Sequence, residues 1–181
     1  TPDLQLHFVI GKLVDHGRAT VFGHGYSCHV CLLRPLSRGS VTLASKNPFE
    51  APVIDPNFLG ERDDMERLSR GVRIMRDLLN QPALAGLGGK EMAYSAKATT
   101  DLQLEQFVRD YADTIYHPVG TCRMGNGPLD VVDHALRVHG VQGLRVVDAS
   151  IMPQVVSGNT NAPTIMLAEK AADMIKSDQR L

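Results

Sequence analysis

His117 stands directly before Pro118 in a stretch of small residues, Val119-Gly120-Thr121-Cys122, where a backbone can approach a ligand closely. An imidazole there can take up or release a proton near neutral pH, because its unperturbed pKa is about 6.5. It can equally be a packed ring, and residue type alone does not choose. Asn161 closes a second polar stretch, Val156-Ser157-Gly158-Asn159-Thr160, just ahead of a run of helix formers. A helix N-cap needs no chemistry, and Asn is among the best caps. Leu144-Arg145-Val146-Val147-Asp148-Ala149-Ser150 is apolar and then small and polar, the pattern of a buried strand that delivers its C-terminal end to a site.

Other patterns fall away on inspection. Cys28-His29-Val30-Cys31 has the C-x-x-C spacing, but a zinc site needs two further ligands and Cys122 lies alone. On a strand, residues three apart point to opposite faces and cannot chelate one ion. No metal is expected, and the thiols read as small packed hydrophobes. Gly23-His24-Gly25-Tyr26-Ser27-Cys28 fails the dinucleotide fingerprint at its third glycine, and Pro35 blocks the helix that should follow. Gly86-Leu87-Gly88-Gly89-Lys90 lacks the first glycine and the Ser/Thr of a phosphate loop. There is no G-x-S-x-G to support a serine hydrolase. His7, His16, His24, His29, His134 and His139 have no motif around them.

The elements that must position His117 and Asn161 follow from periodicity. Leu4 to Ile10 reads as a strand and residues 11–27 as a long loop. His29–Leu33 and Val41–Ala44 read as antiparallel strands joined through Pro35 and Gly39. Residues 47–57, with three prolines, should be extended and loop-like. Met65, Leu68, Val72, Met75 and Leu79 recur at helical steps from Glu61 until Gln81-Pro82. Thr100 with Gln103 fits a capping box ahead of Leu104, Phe107, Val108 and Tyr111. Residues 85–97 read as connection. A last helix carries Pro163 in its first turn, with Ile165, Ala168, Ala172 and Ile175 as its buried face. The expected fold is α+β, an antiparallel sheet flanked by helices, with residues 1–115 as one domain and 116–181 as another.

Composition limits the functions. With 181 residues, 43% hydrophobic and 22% charged, the chain can form a real core and has no run long enough for a membrane span. Nineteen Lys+Arg against twenty Asp+Glu give no electrostatic case for nucleic acid. Three cysteines do not make a disulfide framework and favour a reducing compartment. The chain starts at Thr1-Pro2-Asp3 without a methionine, which reads as a piece of something longer.

Three ordered blocks carry a resemblance. Tyr116-His117-Pro118-Val119-Gly120-Thr121-Cys122-Arg123-Met124-Gly125 comes first. Gly143 to Pro153 and Gly158-Asn159-Thr160-Asn161-Ala162-Pro163-Thr164-Ile165-Met166 follow. Together they resemble the C-terminal signature of the glucose–methanol–choline family of flavin oxidoreductases. Leu33-Arg34-Pro35, Ser37-Arg38-Gly39-Ser40 and Pro48-Phe49-Glu50-Ala51-Pro52 resemble that family's substrate domain. Within the family, the likeness is to choline dehydrogenases and to membrane-associated dehydrogenases of aliphatic alcohols.

The resemblance implies oxidation of an alcohol to an aldehyde by hydride transfer to FAD. His117 would be the general base and Asn161 would hold the developing alkoxide. Tyr116, Asp148, Ala149, Ala162 and Pro163 would contact the cofactor, with the last helix pointing its N-terminus at the flavin. The family's dinucleotide-binding fingerprint is absent from these 181 residues. The chain therefore resembles the C-terminal portion alone: a substrate domain at 1–115, and at 116–181 the catalytic blocks with the strand and helix that return to the FAD domain. On its own it is expected to be inactive and to hold FAD weakly. The implied partner is a small alcohol, with no nucleic acid. The implied location is cytoplasmic, with a peripheral seat at the inner membrane compatible with the resemblance. Choline as the substrate, or a binding fragment without catalysis, are the rival readings. An aromatic cage for a quaternary ammonium cannot be assembled from Phe and Tyr at 5% without Trp.

Overall fold

Alternation from Leu4 forms β1 (Leu4–Val9), which pairs antiparallel with β2 (Ser27–Leu32), Leu4 lying opposite Leu32 and Val9 opposite Ser27. The protein is described by a computed structural model covering residues 1–19 and 21–178, the His16 side chain excepted. The β1–β2 register gathers Leu4, Leu6, Phe8, Cys28, Val30 and Leu32 on one face of the sheet. Gln5, His7, His29 and Cys31 take the other. Cys28 and Cys31 therefore diverge, and burial pushes both thiols up from the ordinary cysteine value.

These strands belong to a unit made of residues 1–32 and 59–113. Its main helix, α1 (Arg62–Leu79), has Asp63 and Asp64 in the first turn and Arg76 in the last, each complementing the helix dipole. Gly71 lets α1 lie directly on Val30 and Leu4 of the sheet. Two short helices follow, α2 (Pro82–Ala85), which opens on its proline, and α3 (Ala93–Ala96). In α4 (Asp101–Tyr111) the capping box is present: Gln103 N–H donates to Thr100 Oγ1 at 3.3 Å, and Thr100 N–H donates to Gln103 Oε1 at 3.1 Å. Met65, Val72, Ala98, Leu104 and Val108 form the core, with Val30, Leu68 and Phe107 against it. Asp64 is buried within this unit and accepts from Arg67 Nη2 at 2.7 Å. Arg62 clamps Glu105 with two bonds of 2.6 and 2.7 Å, tying α1 to α4.

The second unit comprises residues 33–58 and 114–181. Here β3 (Ser40–Thr42) pairs with β4 (Val53–Asp55), a strand inside the segment read as loop. The expected pairing of the 29–33 and 41–44 runs does not occur, because β2 is already laddered with β1. Pro35, three residues beyond its end, has no N–H to donate to a continuing ladder. The strand expected at 144–150 is absent too: Arg145 makes one isolated bridge to Arg137, and Ala149–Ile151 is a 3₁₀ turn. Its backbone pairs only over 144–146, where Val138 N–H donates to Leu144 O at 3.0 Å and Val146 N–H to Leu136 O at 3.2 Å, and the segment then turns at Asp148, whose side chain caps the 3₁₀ turn. Val146 and Val147 still pack against a core of Val132, Leu136, Ile151 and Ala171.

The last helix, α5 (Asn161–Asp178), reaches that core through Leu167 and Ala171. This corrects the face read from sequence, since Ile165 is 55% exposed. The buried stripe is set by where the 124–151 core lies, and at its C-terminal end α5 is tied down through the exposed Asp178. There the carboxylate accepts from Arg137 Nη2 at 2.6 Å and from Arg145. The observed architecture is α+β, small antiparallel sheets with helices, as the periodicities imply.

Candidate functional site

The chain enters the His117 block through Tyr116, whose φ of 68° is left-handed and uncommon for a residue with a side chain. The Tyr116 N–H donates to Thr114 Oγ1 at 2.9 Å, which fixes the turn that aims the next residue. Beyond His117 the backbone docks on the 3₁₀ turn. Cys122 N–H donates to Ser150 O at 3.0 Å and Met124 N–H to Ile151 O at 2.8 Å. Gly125 and Gly127 make room for Asp130, which accepts from Gly127 N–H at 2.6 Å and from Arg123 Nε. The Gly127 N–H, and then Arg123, hold the Asp130 carboxyl below the usual carboxylate range. His139 Nε2–H donates to Gly125 O at 2.9 Å, which gives this histidine a structural task. The conformation around His117 is thus held from both sides by local hydrogen bonds.

The His117 ring is half-buried and meets the polar stretch ahead of α5. Nδ1 lies 3.0 Å from Thr160 Oγ1 and 3.3 Å from the Thr160 main-chain N–H. Asn159 Nδ2–H donates to Nε2 at 2.7 Å. The stretch is anchored by Arg34, which donates to Ser157 Oγ at 3.1 Å, and Ser157 has a left-handed φ of 64°. Imidazole, hydroxyl and carboxamide therefore sit within hydrogen-bond reach at the head of a long helix. Such a set can accept a proton at one ring nitrogen while the other is held by a neighbour.

Asn161, the other residue singled out by sequence, is exposed and is the first residue of α5. The N-cap position read onto Asn161 belongs to Thr160, since Thr164 N–H donates to Thr160 O at 3.0 Å and closes the first turn there. Asn161 follows directly on the residue bonded to His117, but the ring's partners among the described residues are Asn159 and Thr160. Asp148 is exposed, and its Oδ1 accepts the Ser150 N–H at 2.8 Å, capping the 3₁₀ turn that begins at Ala149. Ala162 is exposed and Pro163 half-buried in the first turn of α5. Sequence reasoning missed Thr160 and Asn159. Thr before a helix is a recognised N-cap signal, whereas nothing local marks Asn159.

Among the described residues no cluster of His, Cys, Asp and Glu is arranged to hold a metal ion. Among the described residues no helix is long and apolar enough to cross a membrane. The head of α5 offers a different kind of site. The first N–H groups of a helix have no intrahelical acceptor, and the residues there and at the 3₁₀ turn, Ala162 and Ala149, are small. Small side chains beside a helix N-terminus leave room for a polar or anionic group such as the edge of a flavin, although Pro163 contributes no N–H.

Residues 35–168 match the family described as GMC oxidoreductase. The chain is 48% identical over 174 residues to an alcohol dehydrogenase (acceptor) of Pseudomonas putida, covering 96% of this chain and 32% of that protein. It is 44% identical over 180 residues to an oxygen-dependent choline dehydrogenase of Escherichia coli, covering 99% and 32%. Among solved structures, formate oxidase of Aspergillus oryzae superposes with a TM-score of 0.82 at 32% identity, over 98% of this chain and 32% of that one. Pyridoxine 4-oxidase gives 0.78 at 30% identity, over 95% and 34%. The chain spans about a third of the length of the curated relatives it matches. These relatives are FAD-dependent oxidoreductases, and on the family match over 35–168 the chain belongs to the glucose–methanol–choline (GMC) oxidoreductase family.

Proposed function

We propose that this chain supplies the proton-handling side of an FAD-dependent enzyme that oxidises an alcohol to an aldehyde. The observation that carries the reading is the His117 ring, held at Nδ1 beside Thr160 with Nε2 turned toward exposed polar groups. His117 accepts the hydroxyl proton at Nε2, and removing that proton builds negative charge on the substrate oxygen. Asn161 is the group assigned to hold that oxygen, since a carboxamide donates without titrating. Tyr116, Asp148, Ala149, Ala162 and Pro163 are assigned to hold the cofactor. When bound, a flavin supplies the acceptor for the hydride leaving the carbinol carbon.

Choline as the particular alcohol finds little support in the described residues. Tyr94, Phe107 and Tyr111 have ring centroids 5.0 to 6.3 Å apart and pack on one another. A cage for a quaternary ammonium needs its ring faces turned to a cavity. A small aliphatic alcohol is the substrate class proposed. In the flavin-loaded protein that carries this chain, His117→Ala should lower turnover by at least about 100-fold, the usual loss with a general base. Unchanged steady-state kinetics would refute the assignment.

A further inference from the structure

We propose that Thr160 is the positioning residue that selects the tautomer of His117, an inference that rests on His117 acting as the base. Nε2 can take a proton only if it arrives with a free lone pair, so the single N–H of the neutral ring must be on Nδ1. Two contacts agree with that state. Asn159 Nδ2–H donates to Nε2 at 2.7 Å, which requires Nε2 to accept. Thr160 Oγ1, 3.0 Å from Nδ1, is a hydroxyl oxygen and can accept the Nδ1–H. The Thr160 main-chain N–H asks for the opposite tautomer, but at 3.3 Å it lies beyond the usual range of about 2.7–3.2 Å and is the weaker contact.

The hydroxyl is well placed to decide the matter. Thr160 is 7% exposed, so water does not readily take its place. Its carbonyl receives both the N–H and the O–H of Thr164, at 3.0 and 2.6 Å, so the residue is fixed to the first turn of α5. Thr160 thus joins the helix to the ring, holding Nδ1 and leaving Nε2 on the exposed side. Asn159 occupies the lone pair there, and a substrate hydroxyl would displace it.

The test is histidine-¹⁵N NMR on the flavin-loaded protein that carries this chain, above the pH at which the ring titrates. The expected wild-type spectrum shows His117 protonated at Nδ1, and that measurement needs no variant. An Nε2–H signature in the wild type would overturn the proposal, whatever His117→Ala does to turnover. Thr160→Val keeps the shape but removes the acceptor. It should shift the ring toward the Nε2–H form and lower kcat about 10- to 100-fold while KM changes little. Thr160→Ser should keep both the tautomer and most of kcat; equal losses in Ser and Val would make the role merely structural and overturn the proposal. Full turnover in His117→Ala would instead remove the base itself, a failure the spectrum reports separately.

Discussion

Gly71 sits in the middle of α1, where an alanine should be better by about 1 kcal/mol on helix propensity alone. The structure predicts the opposite outcome for Gly71→Ala. A Cβ at this position would lie 2.7 Å from Val30 Cγ2, and 3.2 and 3.4 Å from the two methyls of Leu4. Carbon atoms in good contact are about 3.5–4.0 Å apart, so Val30 would have to retreat by roughly 1 Å. Val30 is β-branched and stiff at χ1, and it stands on a strand whose ladder fixes its backbone. Overpacking of this kind costs about 1–3 kcal/mol, which outweighs the propensity gain and leaves a net loss of about 1 kcal/mol. The chain has no tryptophan, so urea unfolding is best followed by far-ultraviolet circular dichroism at 222 nm, where the helices report. The midpoint should fall for Gly71→Ala. Combined with Val30→Ala, which removes the obstructing methyl, the two losses should be less than additive by about 1 kcal/mol. A higher midpoint for Gly71→Ala, or strict additivity of the pair, would show that α1 does not rest on Val30 as described.

Acid should loosen the unit that carries His117. Asp178 is held below the usual carboxylate range by Arg137 and Arg145, Asp133 by the Arg137 and Ala135 main-chain N–H groups, and Asp130 by Gly127 N–H and Arg123. Each binds its proton less tightly folded than unfolded. Their stabilisation is therefore present above about pH 4 and is lost as pH falls through the lowered folded values. Asp178→Asn should make the acid transition shallower, and an identical acid titration would argue against the Arg–Asp clamp on α5. At the site, Asn161→Ala should slow flavin reduction in stopped-flow measurements. Asn159→Ala, which frees the Nε2 lone pair, should not slow it; the reverse ranking would hand the alkoxide role to Asn159. The 181-residue chain purified alone should show no flavin absorbance near 450 nm, because its proposed contacts are one turn and one helix end. Stoichiometric yellow protein would overturn that expectation.

Much of the fold was legible in residue order because it depends on near neighbours in the chain. The 3.6-residue spacing of Met65, Leu68, Val72 and Met75 produced α1, and the Thr100–Gln103 pair produced the cap of α4. The strand at Leu4–Val9 and the divergence of Cys28 from Cys31 follow from a period of two. Strand pairing was not legible, because which ladder β2 joins is a long-range choice between β1 and the 41–44 run. Nor was the register of α5: several apolar stripes are available on it, and the one used is set by Val132, Leu136 and Ile151.

The same division runs through the site. The residue types around His117 and Asn161 marked the segments to which the chemistry is assigned, and the order of the three blocks indicated the family, because both are properties of the chain as written. The tertiary structure alone decided that Thr160 and Asn159 take the two ring nitrogens and that Asn161 starts the helix. A hydrogen bond across 43 residues depends on how two loops are held, the first by Tyr116 and the 150–151 backbone, the second by Arg34 and Thr164. Those restraints act through space, so no local pattern around His117 specifies its partners.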